Sequence, residues 1–108
     1  MQNAPTIGIM NLIADNIRHT VSHGTQVIKD LTRKEFQILW FLCQEPGRVY
    51  TRKQIFSGIW GNTEKTHDRT VDIHIVQLRR KIDKSIIKSI KGVGYKLNLE
   101  KEEVELIS

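Results

Sequence analysis

A small N-terminal antiparallel sheet, three helices and a C-terminal β-hairpin are what this 108-residue chain predicts, an α+β order of elements. Three observations carry that expectation. Val71, Ile75, Leu78 and Ile82 recur at i, i+4, i+7 and i+11, which is one stripe of a helix at about 100° per residue. Lys91-Gly92-Val93-Gly94 separates two β-rich runs and offers the backbone freedom that a tight turn needs. Between Thr6 and Lys29, short apolar groups alternate with polar ones. Two helices and a turn that present a third, basic helix, with a hairpin appended, make a winged helix-turn-helix.

Residues 1–5 read as a linker. Ile7, Ile9, Leu12, Ile13, Ile17, Val21, Val27 and Ile28 then mark three or four short antiparallel strands, with turns at Asp15-Asn16 and His23-Gly24. Thr32 is placed to cap the first helix, and Glu35 three residues on completes a capping box. Phe36, Ile38, Leu39, Phe41, Leu42 and Cys43 make this helix apolar nearly all round until Gln44 or Glu45, where Pro46-Gly47 stops it. Arg33, Gln37 and Gln44 form its thin polar stripe, and Trp40 interrupts that stripe. Two readings of Trp40 stay open: an indole half-covered by the sheet, or a residue that docks a partner.

Arg48-Val49-Tyr50 is an extended link. Thr51 caps a second helix from Arg52 to Trp60 that buries Ile55, Phe56, Ile59 and Trp60, and Gly61-Asn62 ends it. A polar loop follows, from Asn62 to His67, and Thr66 or Asp68 can cap the third helix. That helix runs from Arg69 to about Asp83-Lys84. Ile86 to Ile90 and Tyr95 to Leu99 are the hairpin strands. The domain is expected to span residues 6–99, with an acidic, disordered tail over 100–108.

The third helix and hairpin hold the charge. The chain carries +5 and has a pI of about 9.6, and from Arg69 to Lys96 eight Lys/Arg face only Asp72 and Asp83. The remainder is near neutral. Opposite the apolar stripe lie Arg69, Ile73, Val76, Gln77, Arg80 and Lys84. A merely solvated face has no use for Ile73 and Val76 among guanidinium and amide groups. A face that enters a DNA major groove uses all of them, because Arg and Gln read base edges and aliphatic groups touch thymine methyls.

Other classes fare worse. Glu35 is spoken for as a cap, and Gly92-Val93-Gly94 lacks the strand-to-helix setting of a phosphate loop, so an enzyme is not expected. His67, Asp68 and Asp72 offer no tight pair at metal-ligand spacing, so neither metal nor cofactor is expected. The lone Cys43 sits in an apolar run, no segment resembles a signal peptide, and no apolar run approaches a membrane span. A cytoplasmic chain without a membrane partner is the expectation. The rival function is a winged helix that contacts only protein.

LTRKEFQILWFL, PGRVYTRKQIFSGIWG, DRTVDIHIVQLRRKI and IKSIKGVGYKL, spread from Leu31 to Leu97, resemble the effector domain of OmpR/PhoB-type two-component response regulators. The resemblance implies sequence-specific binding of promoter DNA and a role in transcription regulation. It places the third helix in the major groove and the wing in the minor groove. Arg69, Thr70 and His74 match positions that hold phosphates. Ile73, Gln77 and Arg79 match positions that face bases, and Lys91 matches the wing residue of the minor groove. Trp60 and Tyr95 match aromatics that contact the DNA backbone. The helical wheel puts Arg69, Ile73 and Gln77 outside as well, whereas Arg79 falls on its flank. The loop Gly61, Asn62, Thr63, Glu64, Lys65, Thr66 and His67 matches a segment that contacts RNA polymerase. A receiver domain outside this chain and tandem pairing on DNA are further implications. The sequence departs from the family at Val76 and Gln77, where many relatives carry Arg or another long polar residue, and at Trp40, whose counterpart is usually polar.

Overall fold

A computed structural model describes residues 11–61 and 68–108. Its elements run β1 (Leu12–Asp15), β2 (Thr20–His23), β3 (Gln26–Ile28), α1 (Arg33–Cys43), β4 (Tyr50–Thr51), α2 (Arg52–Trp60), α3 (Asp68–Lys81), β5 (Ile87–Ile90), β6 (Gly94–Leu97) and β7 (Val104–Ile107). Three helices are thus held between two small sheets, and the winged-helix expectation holds. The expected strand at Ile7 and Ile9, the linker at 1–5 and the loop 62–67 lie outside the described residues.

The first sheet has the order β3-β2-β1-β7. β1 pairs antiparallel with β2, Leu12 opposite His23 and Asp15 opposite Thr20. The turn between them is built by the Asp15 carboxylate, whose Oδ1 accepts from the Ile17 and Arg18 amides at 2.9 and 3.0 Å. The helices present their apolar sides to a common core of Phe36, Leu39, Ile55, Val71, Ile75 and Leu78, none more than 2% exposed. All four residues of the predicted α3 stripe are buried, Ile82 being the most accessible at 8%.

Caps follow the sequence closely. Thr32 Oγ1 accepts from the Glu35 amide at 3.2 Å while Glu35 Oε1 accepts from the Thr32 amide at 3.0 Å. The same reciprocal box starts α2, between Thr51 and Gln54. α3 stops at Lys81, short of the expected Asp83-Lys84. Asp83 Oδ1 accepts from both the amide and the hydroxyl of Ser85 at 2.7 Å, and this local turn competes with another helical turn.

Two elements were not legible in advance. Tyr50-Thr51 is a strand, β4, that pairs with β6 in the register Tyr50 opposite Tyr95 and Thr51 opposite Gly94. The second sheet therefore has the order β4-β6-β5. Gly94 permits it, since a methyl group there would overlap the Tyr50 carbonyl. The second correction concerns the tail. Residues expected to be disordered form a 3-10 turn at Lys101–Glu103 and then β7, which lies parallel to β1 with Leu12 opposite Val104 and Asp15 opposite Ile107. Val104 packs against the core, and the strand supplies partners to an edge of β1 that would otherwise offer open backbone groups. The glutamates of this segment hid the β-rich run Val104-Glu105-Leu106-Ile107.

Candidate nucleic-acid interface

α3 buries one stripe and turns its opposite face outward. On that face Ile73 is 55% exposed and Val76 57%, two large aliphatic groups that share one outward helix face, whereas the similarly exposed Ile17 and Val27 lie on the first sheet and its turn. Gln77 and Arg80, one turn apart, are joined by a hydrogen bond from the Arg80 guanidinium to Gln77 Oε1. Arg69 is exposed at the start of the helix, and Arg79, Arg80 and Lys81 crowd its last turn. The hairpin adds exposed Lys88, Lys91 and Val93 around Gly92, whose φ of +77° is the left-handed turn the sequence called for.

Beside this face stands an aromatic cluster. Trp60 stacks on Phe56 with centroids 4.8 Å apart, the His74 ring meets it edge-on at 5.4 Å, and the Lys34 ammonium lies 5.3 Å from its centre. His74 Nδ1 is 2.7 Å from the Thr70 carbonyl oxygen, which can only accept, so Nδ1 carries the proton and Nε2 is the ring atom left to meet another group.

Two expected contact residues are placed differently. Where the resemblance implies a base contact, Arg79 Nε donates to the Ile87 carbonyl at 2.9 Å and its Nη2 to Ser89 Oγ at 2.8 Å. Arg79 lies on the flank of the helical wheel, and that flank faces β5. Tyr95 was assigned to the DNA backbone, yet it is 6% exposed and its hydroxyl donates to Asp72 Oδ1. Its ring lies under two guanidinium groups, Arg52 at 5.5 Å and Arg79 at 5.7 Å.

Asp72 is the junction that sequence reasoning passed over, except as a weak metal candidate. It accepts from Tyr95 and, at 2.7 Å, from Arg52 Nε. Partial burial pushes its carboxyl up, but the Tyr95 hydroxyl and the Arg52 guanidinium outweigh burial and hold it below the usual carboxylate range. Burial, then the Asp72 charge, push the Tyr95 phenol in the opposite direction, upward.

Behind the face, Lys81 Nζ donates to Glu35 Oε1 at 2.7 Å and to the Asp30 carbonyl at 2.8 Å, which ties the end of α3 to the cap of α1. Trp40 is half-buried, packs against the core and stacks on Phe36 at 6.1 Å. Cys43 is buried, and burial pushes its thiol up to about 12.

With this geometry in view, likeness to known proteins is informative. Residues 24–97 match the family described as "Transcriptional regulatory protein, C terminal". The chain belongs to that family. The regulatory protein VanRB of Enterococcus faecalis is 43% identical over 91 residues, 84% of this chain and 40% of VanRB. The DNA-binding domain of the response regulator AdeR, solved in complex with an intercistronic region, superposes with a TM-score of 0.71 at 29% identity, covering 83% of this chain and 96% of that domain. The Klebsiella pneumoniae RstA DNA-binding domain, solved with the RstA box, gives a TM-score of 0.69 at 27% identity over 78% of this chain and 87% of that one. The chain spans 40%, 35% and 33% of the length of VanRB, of VxrB from Vibrio cholerae and of YclJ from Bacillus subtilis. It is a winged-helix DNA-binding domain of the response-regulator type, and its biochemical role is DNA binding in transcription regulation. Among the described residues no helix is long and apolar enough to cross a membrane.

Proposed function

We propose that the domain recognises a half-site of promoter duplex with α3 in the major groove and the wing tip in the adjacent minor groove. The observation that carries this reading is the exposure of Ile73 and Val76 beside Gln77, on a face bordered by cations. Ile73, Val76 and Gln77 face base edges, the aliphatic pair against thymine methyls and Gln77 toward an adenine or a neighbouring acceptor. Arg69, Thr70 and Trp60 would hold backbone phosphates, as in the resemblance that motivates the assignment, and Arg80, on the outward face of the same helix, adds a further cation. His74 joins them only as imidazolium, because its remaining nitrogen must donate to reach a phosphate oxygen. Lys91, at the exposed turn, is the cation for the minor groove.

In this reading the module binds rather than catalyses, as a transcription-regulator domain does, and acts in the cytoplasm. A receiver domain of the same protein would control pairing of two copies on tandem half-sites about one helical turn apart. Such pairing raises affinity through effective concentration, without a new base contact. The loop Gly61–His67 is assigned to RNA polymerase on the resemblance alone.

Salt dependence tests the reading against a wing that contacts only protein. Five to eight phosphate contacts predict a slope of log K against log[salt] of about −4 to −7 on a duplex selected from a random pool. A flat salt dependence, or failure of the pool to enrich any sequence, contradicts it.

A further inference from the structure

The wing is bound to α3 at two separate points. β5 is held through Arg79, whose guanidinium spans the Ile87 carbonyl and the Ser89 hydroxyl at 2.9 and 2.8 Å. β6 is held through the Tyr95 hydroxyl on Asp72, and Arg52 brings α2 to the same carboxylate at 2.7 Å. Asp72 and Arg79 are seven residues apart on the helix, about 10 Å along its axis at 1.5 Å per residue. The β4–β6 pairing and the buried Ile87 and Leu97 seat the base of the hairpin against the helices, and these two side-chain attachments tie it to α3 itself. Two attachments at that separation, one to each strand, fix its angle to the recognition helix.

We propose that Asp72 and Arg79 are positioning residues that lock the wing onto α3, so that the two DNA-contacting elements act as one rigid reader. Arg79 does this by forgoing the base contact that its place in the family pattern suggests. Reaching a base would break both of its hydrogen bonds and strip the Ile87 carbonyl, on an edge strand, of its donor. The lock also explains why the Tyr95 ring is covered by Arg52 and Arg79 rather than turned to solvent. The inference rests on the reading of Lys91 as a DNA contact, and its test separates the two.

The full chain is compared with Arg79→Ala, Ser89→Ala, Lys91→Ala and the Arg79→Ala/Lys91→Ala double variant. Residual dipolar couplings of the free proteins report wing orientation. In Arg79→Ala the amide couplings of Ser89 to Tyr95 change or average while those of α1 and α2 keep their values, and Ser89→Ala shows part of the same change. On a selected duplex, Lys91→Ala weakens binding about tenfold in the parent but no more than about twofold in Arg79→Ala, the non-additivity of groups that act as a unit. Ser89→Ala moves DNA affinity in the same direction as Arg79→Ala. Were Arg79 a base reader, freeing its head from Ser89 would leave or raise affinity. Unchanged wing couplings in Arg79→Ala overturn the proposal whatever the DNA data. Additive losses for Arg79 and Lys91 overturn it while leaving the wing contact intact. A Lys91→Ala protein that binds as tightly as its parent removes the wing from the DNA, and the lock's purpose with it.

Discussion

Replacing Lys81 with methionine strands a buried carboxylate, and the cost can be worked from the contacts. The Lys81 side chain is 17% exposed and that of Glu35 only 5%, with 2.7 Å between them. Methionine keeps the aliphatic stem and removes the ammonium, so Glu35 loses its ion pair and the Asp30 carbonyl loses a donor. Breaking a buried pair from one side costs about 3–5 kcal/mol. Glu35 keeps the Thr32 amide as a partner at 3.0 Å, which moves the expectation to the lower end, about 2–3 kcal/mol at pH 7. The pH dependence supplies a second check. Burial pushes the Glu35 carboxyl up, but Lys81 and the Thr32 amide outweigh it and hold the folded carboxyl below its ordinary 4.5. A depressed folded pKa means the stabilisation is complete above 4.5 and is lost as pH falls through the lower folded value. The ion-pair part of the Lys81→Met cost is therefore full at pH 7 and shrinks as the pH falls below 4.5 and the Glu35 carboxyl protonates, leaving only the lost bond to the Asp30 carbonyl. Urea denaturation followed by tryptophan fluorescence measures both. Glu35→Gln added to Lys81→Met recovers at least about 1 kcal/mol, since glutamine can still close the capping box without a charge. A Lys81→Met cost below about 0.5 kcal/mol at pH 7, or one that is the same in acid, refutes the reasoning.

Other substitutions probe the frame around the interface. Gly94→Ala sets a methyl against the Tyr50 carbonyl and should separate β4 from β6, destabilising the domain by about 3 kcal/mol in the same urea assay. A loss under about 0.5 kcal/mol would mean that the two strands do not approach as described. Trp40→Ala removes an indole that packs on Phe36 and the core, and should cost about 2–3 kcal/mol while the folded domain retains its DNA affinity. A stability unchanged by that substitution would favour a docking role. Cys43, buried and with its thiol pushed up to about 12, should resist alkylation in the native protein at pH 8 and react promptly in urea; rapid native labelling would contradict its placement.

The fold was legible where local rules decide it. The α3 stripe, the N-termini of α1 and α2 and the Gly92 turn follow from periodicity, capping chemistry and backbone freedom. β7 was not, because its strand pattern is diluted by glutamates and its partner β1 lies some ninety residues earlier in the chain. The same limit governs the site. Ile73, Val76 and Gln77 could be placed outward from the helix alone, since a helix fixes which side chains share a face. Arg79 and Tyr95 could not, because their placement depends on where β5 and β6 dock. Asp72 escaped attention for that reason too: its partners Arg52 and Tyr95 come from elements twenty residues upstream and twenty-three downstream.

If the weakly charged middle of α3 reads sequence, binding measured base by base must show it. Affinities of the parent and of Gln77→Ala are measured for a selected duplex and for each of its single-base-pair variants. Gln77→Ala is expected to lose about 1–3 kcal/mol on the selected site and to lose discrimination at one position, keeping it elsewhere. An equal loss on every duplex, with the pattern of preference intact, would show that Gln77 is not a reader and that the middle of α3 does not discriminate through it.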